Sequence, residues 1–254
     1  MSLLQEYQDQ FQWRPWPQIL AELPELKLQH VLDLGCGHGD LSAELLKRGA
    51  SVLGIDANAD LLNHAEQRNL QNVAFQFGYL HQLEALLADQ YDAFDGIWCS
   101  FVAAYFTDFV PILKHWKCFL KPGGWIALTE IDRMFEHQPL SEMSQHYLQQ
   151  NAHSALQAGR YDFNMGHKLG AYLEQAGFKI QKQLCFSDLE LSFDGPAAPD
   201  VLHAWNRRLQ RMAPLQALCG DDFETLQADF LNCLQSPSHR SQAKVYFYLA
   251  ERVS

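Results

Sequence analysis

The stretch Val31-Leu32-Asp33-Leu34-Gly35-Cys36-Gly37-His38-Gly39-Asp40-Leu41-Ser42 decides how this chain is read. Apolar residues and one acid run straight into glycines at alternate positions, and a helical pattern follows at once. This order predicts a buried parallel strand, a glycine turn and the N-terminus of a helix. Glycine tolerates positive φ in such a turn and lets a ligand approach the backbone closely. The unpaired N–H groups and positive dipole end of the helix favour a polar or anionic ligand group. Asp33, at the strand's carboxyl end, adds a side chain suited to an ammonium or hydroxyl.

Outward from that turn, helices and strands alternate. Residues 3–22 read as helix broken by Pro15 and Pro17. Strands are expected at 51–56, 73–77, 93–100 and 125–130, separated by helices near 41–48, from 60, near 82–88 and at 109–119. Such alternation means a doubly wound parallel sheet with helices on both faces. Ligands bind such sheets outside the carboxyl ends of the strands, and the first four ends carry Asp33, Asp56, Gly78 and Ser100. Beyond Glu130 the pattern loosens: polar helix over 138–158, a loop at 159–163, helix 166–176 and a strand at 178–186. Two amphipathic segments near 199–217 and 221–235 precede a last alternating strand at 243–250. The expected organisation is one domain over 1–254, with its core at about 28–186 plus 243–252. A helical insertion over about 187–242 either covers the acceptor site or forms a dimer face.

Composition narrows the function. The chain has 254 residues, 48% of them hydrophobic, enough for a sizeable core. Its 19 basic and 30 acidic residues give a net charge of −11, which argues against a nucleic-acid surface. Six scattered cysteines without zinc spacing fit a reduced cytoplasmic setting. The acidic N-terminus predicts no signal peptide, and the longest apolar run, 96–106, falls short of the roughly 20 residues a membrane helix needs. The expectation is a soluble monomer or homodimer without nucleic-acid or membrane partners. No spacing of acids and histidines presents three ligands to one metal ion.

Two ligand classes use a strand, a glycine turn, a helix and then an acid at the next strand end. A dinucleotide fold wants its third glycine at position 40, where this chain has Asp40; the third glycine is Gly39. An acid there would sit near a pyrophosphate. Asp56, 21 residues after Gly35 (56 − 35), suits a ribose diol in either class.

At these residues the chain resembles the class I S-adenosylmethionine-dependent methyltransferases, in particular their small-molecule and quinone-type members. The matching pieces are Leu32 to Gly39, Gly54-Ile55-Asp56, Phe94-Asp95-Gly96-Ile97 and Leu120-Lys121-Pro122-Gly123-Gly124, in the family's order over roughly residues 28–132. The family's terminal hairpin matches residues 178–186 and 243–250 more loosely, and segment 165–169, with Leu173 and Ala176-Gly177-Phe178, also looks like the small-molecule and quinone-type members. The resemblance implies a Rossmann-like, mostly parallel seven-stranded sheet whose last strand is antiparallel. It implies S-adenosyl-L-methionine as cofactor, S-adenosyl-L-homocysteine as product and a small-molecule methyl acceptor. Asp33 and the backbone of Gly35, Cys36, Gly37 and Gly39 would hold the methionine portion, and Asp56 the ribose hydroxyls, with Ala57 on the adenine. Tyr79 and Leu80 would meet the adenine edge, and Ser100 with Phe101 the methionine side. Tyr79 stands where many members carry an Asp, so the usual carboxylate contact to the adenine amine does not carry over, and the Leu80 backbone N–H and the Tyr79 ring are what remain for the adenine.

Methyl transfer from a sulfonium is an in-line displacement to which the protein contributes orientation and exclusion of water. A base is needed only for an acceptor protonated at working pH. Topology points to Tyr105 and Glu130 as candidate catalytic groups, and to Tyr105, Asp132, Arg160, Tyr161 and Trp205 as substrate contacts, Arg160 for a carboxylate. Arg14, in the aromatic segment 11–16, is either solvated or closes over the cofactor. The amide-nitrogen motif is absent after the fourth strand, where Ser100-Phe101-Val102-Ala103 stands. Two alternatives stay open: a non-catalytic module that binds this cofactor for a partner, and a nicotinamide-dependent oxidoreductase that Asp40 disfavours.

Overall fold

The computed structural model describes residues 3–253. Among the described residues nine strands form: β1 His30–Leu34, β2 Ser51–Asp56, β3 Val73–Phe77, β4 Phe94–Ser100, β5 Leu120–Asp132, β6 His137–Gln138, β7 Phe178–Phe186, β8 Arg240–Ser241 and β9 Lys244–Arg252. Seven of them make one sheet in the order β3-β2-β1-β4-β5-β9-β7, and β6 pairs β8 in a separate ribbon. β1 to β5 run parallel, while β9 is antiparallel to both β5 and β7. The strand order reverses between β1 and β4, and the glycine turn leaves β1 beside that switch point.

Apolar runs explain which strands are central. In β1, Val31, Leu32 and Leu34 are sealed from water, as a strand covered on both faces requires. The sheet divides two apolar layers: one gathers Trp98, Ala127, Phe247 and the helices within residues 187–242, the other Ile97, Leu128, Phe109 and Trp116. β5 is longer than the expected 125–130. Its Lys121-Pro122-Gly123-Gly124 segment stays in the strand as a bulge, with Phe94 opposite Leu120 and Gly96 opposite Trp125.

Other elements differ from the expectation for local reasons. The amphipathic stretch 199–217 is two helices, Pro199–Arg211 and Ala213–Cys219, because Pro214 cannot donate a backbone bond to continue the first. The helix near 82–88 shrinks to Leu83–Leu86 behind a short turn. The β6–β8 ribbon carries no sequence signal, since two-residue strands have no period to read. No helix among the described residues is long and apolar enough to cross a membrane.

Candidate active site

The glycine turn is held open by its neighbours. Gly35 has φ +78°, and a Cβ there would lie 2.3 Å from Val102 Cγ2, so no other residue fits. The Gly35 N–H donates to the Ile55 carbonyl at 2.8 Å. Asp56, ending β2, accepts from the Gly37 N–H on Oδ2 and the Asn58 N–H on Oδ1, both at 2.8 Å. One carboxylate thus fastens the turn after β1 to the turn after β2, and keeps lone pairs for a further donor. Gly39, φ +81°, caps the helix Asp40–Lys47 and packs on Phe75.

A cavity of about 1030 Å³ opens over this turn. That is the upper end of single-ligand pockets, roughly 300–1,000 Å³. Gly35, Cys36, Gly37, Asp56, Ala57, Tyr79 and Leu80 line it. Trp16, Ile131, Phe135, Phe163, Leu191 and Met212 give it an apolar lining, and Ser100 and Phe101 line it as well. Phe101 has φ +56°, uncommon for an aromatic residue, and its ring meets Trp16 edge-on at 5.9 Å. The Ser100 hydroxyl is buried in this wall without a hydrogen-bond partner.

The N-terminal helix Leu3–Trp13 forms the roof. Glu6, Tyr7, Gln10 and Phe11 line the cavity, and Tyr7 stacks on His38 at 5.9 Å. Arg14 lines it too, with its guanidinium 5.3 Å from the centre of the Phe101 ring. Both its Nη atoms are committed, to Asp188 at 2.9 Å and Glu190 at 2.7 Å. Tyr105, largely exposed, and the more buried Tyr161 line the cavity with ring centres 4.9 Å apart. Asp40 also lines the cavity, paired with His38 at 2.7 Å and with Arg68. Its charge is therefore compensated within the protein.

Several expected site residues do not reach the cavity wall. Asp33 is buried and accepts the Ser42 hydroxyl at 2.5 Å; burial, with the charge of Asp56 added, lifts its carboxyl to about 7. Gly39 serves packing, as above. Glu130 corrects the expectation of a catalytic carboxyl: its side chain is wholly buried, accepting from the Ile131 N–H at 3.0 Å and the Ala104 N–H at 3.3 Å. Burial pushes its carboxyl up to about 8. Asp132 is bound instead to His167, Oδ1 to Nδ1 at 2.6 Å, away from the wall. Arg160 is exposed outside the cavity. Trp205 is fully buried and donates its indole N–H to the Glu190 carbonyl at 2.9 Å.

Sequence reasoning missed Asn58, Leu61, Phe135, Phe163, Leu191, Arg208 and Met212, all in the wall. Asn58 and Leu61 adjoin Asp56 and were open to a local argument. The other five arrive from loops and helices far along the chain, and no motif marks them. Among the described residues no group of three or more His, Cys, Asp or Glu converges where it could hold a metal ion.

Comparison with known proteins agrees with this geometry. A family model described as a methyltransferase domain matches residues 26–177, more than half of the chain. The chain belongs to that family, the class I S-adenosylmethionine-dependent methyltransferases its motifs resemble. A ubiquinone biosynthesis O-methyltransferase of Coxiella burnetii (strain RSA 493 / Nine Mile phase I) is 38% identical over 115 residues, 44% of this chain and 47% of that protein. The chain spans about half the length of the curated relatives it matches. The fold is shared with Haemonchus contortus phosphoethanolamine N-methyltransferase 2, solved in complex with S-adenosyl-L-methionine: TM-score 0.58, 20% identity, 94% of this chain and 53% of that one. It is also shared with the [4+2]-cyclase SpnF, at TM-score 0.57 and 16% identity over 96% of this chain and 80% of that one. Such a fold therefore carries more than one chemistry.

Proposed function

We propose that this chain is an S-adenosyl-L-methionine-dependent methyltransferase acting on a small-molecule acceptor, with S-adenosyl-L-homocysteine as product. The observation that carries the reading is the cavity. A glycine turn and the Asp56 carboxylate line it together with a set of apolar side chains, in a volume of about 1030 Å³. The residues present fit the cofactor. A Cβ on Gly37 would meet nothing nearer than Leu61 at 4.0 Å, so the backbone there is open to a close ligand. The unpartnered Ser100 hydroxyl supplies a polar group on the methionine side.

In this reading Asp56 takes the ribose hydroxyls, the Gly35–Gly37 backbone the methionine end, and Ala57, Tyr79 and Leu80 the adenine. The cofactor, when bound, supplies an electrophilic methyl group. Ser100 and Phe101 line the cavity at and just after the end of β4, the strand paired with β1, and in this reading they orient the acceptor for in-line attack. Trp16, Phe135 and Phe163 exclude water; good positioning is worth roughly 7–11 kcal/mol. Tyr105 and Tyr161 meet the acceptor. Burial and the nearby Glu130 charge keep Tyr161 a phenol, so it donates a hydrogen bond and takes no proton.

The segment 187–242 acts as the acceptor's cover, since Leu191, Arg208 and Met212 line the chamber. A net charge of −11 and six free cysteines support a cytoplasmic protein without a nucleic-acid partner. A thermal-shift comparison tests the reading. S-adenosylmethionine and S-adenosylhomocysteine are expected to raise the melting temperature and NADH to leave it unchanged; stabilisation by NADH alone would overturn it.

A further inference from the structure

The acceptor chamber has a charged wall whose two signs are sorted by depth. Arg14 and Arg208 line the cavity, whereas Asp188 and Glu190, the acids paired with them, do not. The side chains of both acids are wholly buried behind the arginines. Arg208 Nη2 lies 2.6 Å from Glu190 Oε1, while Arg208 Nη1 is buried without a hydrogen-bond partner. The quartet is formally neutral, and of its four members only the two arginines line the cavity. A buried donor left unpaired is costly, and an acceptor oxygen brought by a ligand would relieve that cost.

The position of Arg208 is fixed rather than chosen by a mobile side chain. Its guanidinium lies over the Trp205 ring, 4.6 Å from the centre, and the Trp205 N–H is tied to the Glu190 carbonyl. The acids that do line the cavity are already engaged: Glu6 with Arg211, Asp40 with Arg68 and His38, and Asp56 with backbone N–H groups. None of them faces the chamber as a free base.

We propose that Arg208, backed by Arg14, selects an acceptor with an anionic oxygen on an apolar aromatic body. The inference rests on the methyltransferase reading and names the acceptor class for that site. The oxygen belongs either to a ring carboxylate, which Arg208 then holds as a handle, or to the phenolate that is methylated. In the phenolate case the guanidinium lowers the phenol's pKa, and the proton leaves to water before transfer. The O–C bond then forms as the C–S bond breaks, the phenolate and sulfonium charges cancelling in a methyl ether and a thioether. No protein base is required.

Isothermal titration of the full chain, saturated with S-adenosylhomocysteine, tests this with two matched pairs. Benzoate against benzamide reads the carboxylate, and ionised para-nitrophenol against para-nitroanisole reads the phenolate. At least one anion is expected to bind about tenfold or more tightly than its neutral partner, the ratio that about 1.4 kcal/mol represents. Arg208→Gln should erase that preference and Arg208→Lys retain part of it, both with unchanged affinity for S-adenosylhomocysteine. Equal binding within both pairs, no binding of either anion, or a preference that survives Arg208→Gln overturns the proposal. A chain that binds no S-adenosylhomocysteine fails a step earlier and overturns the methyltransferase reading itself, so the two failures stay distinct.

Discussion

Asp56 bears more of the site than any other side chain. It accepts two backbone N–H groups that join the turns after β1 and β2, and it faces the cavity with remaining lone pairs. Asp56→Ala is expected to weaken S-adenosylhomocysteine by about 1–3 kcal/mol, as loss of a charged acceptor does. Titration calorimetry measures this, and an unchanged dissociation constant would remove Asp56 from the site. Glu130 has a different fate. Burial holds its carboxyl near 8, above the ordinary 4.5. An acid with a raised folded pKa binds more protons folded than unfolded, so stability falls as pH climbs from about 4.5 towards about 8. Asp33, lifted to about 7, adds to the same trend. Melting temperature should therefore drop across this window, and Glu130→Gln should flatten part of the drop. A variant with the wild-type slope would contradict the account. The sequence made Gly35, Asp56 and Ser100 legible because each sits at a strand end beside its motif. It misplaced Glu130 because topology gives the strand end but not which face the side chain takes.

Elements far apart in the chain are joined by charges buried beneath the cavity. Arg14, between the first two helices, bonds Asp188 and Glu190, more than 170 positions away. Asp188 also accepts the backbone N–H groups of Glu190 at 3.0 Å and Ser192 at 2.8 Å. Removing Arg14 leaves the buried Asp188 without its counter-ion and Glu190 with Arg208 alone, so Arg14→Met should cost about 3–5 kcal/mol in chemical denaturation. A loss below about 1 kcal/mol would show the pair to be solvated instead. The helix Pro199–Arg211 is clamped to the N-terminal helix in the same way, through Glu6 with Arg211, Asp9 with Arg207 at 3.9 Å and the Trp13 N–H with Asp200 at 3.2 Å. Its Trp205 and the later Phe230 are fully buried in the layer that also holds Val245 and Phe247. Deleting 187–242 is thus expected to abolish cooperative unfolding altogether. A truncated chain that melts cooperatively and still binds S-adenosylhomocysteine would make the segment a detachable lid. The amphipathic period of these helices was readable from sequence. The wall they face was not, because ion pairs across such separations leave no periodic trace.

At the scale of the whole molecule, a seven-stranded sheet with one reversed strand sets the switch point. The glycine turn sits on it, and everything downstream is placed around it. The parallel core was legible because buried strands read as short apolar runs between helical patterns. The acceptor chamber was not, since its lining comes from the N-terminal helix, the loops after β5 and residues 187–242 together. A fold shared with N-methyltransferase and cyclase chains cannot by itself decide between chemistries, so the cofactor must be tested directly. Isothermal titration of the full chain with S-adenosylhomocysteine and, separately, with NADH is that test. The account predicts saturable one-to-one binding of S-adenosylhomocysteine that Asp56→Ala weakens, and no binding of NADH. Binding of NADH with none of S-adenosylhomocysteine would contradict it.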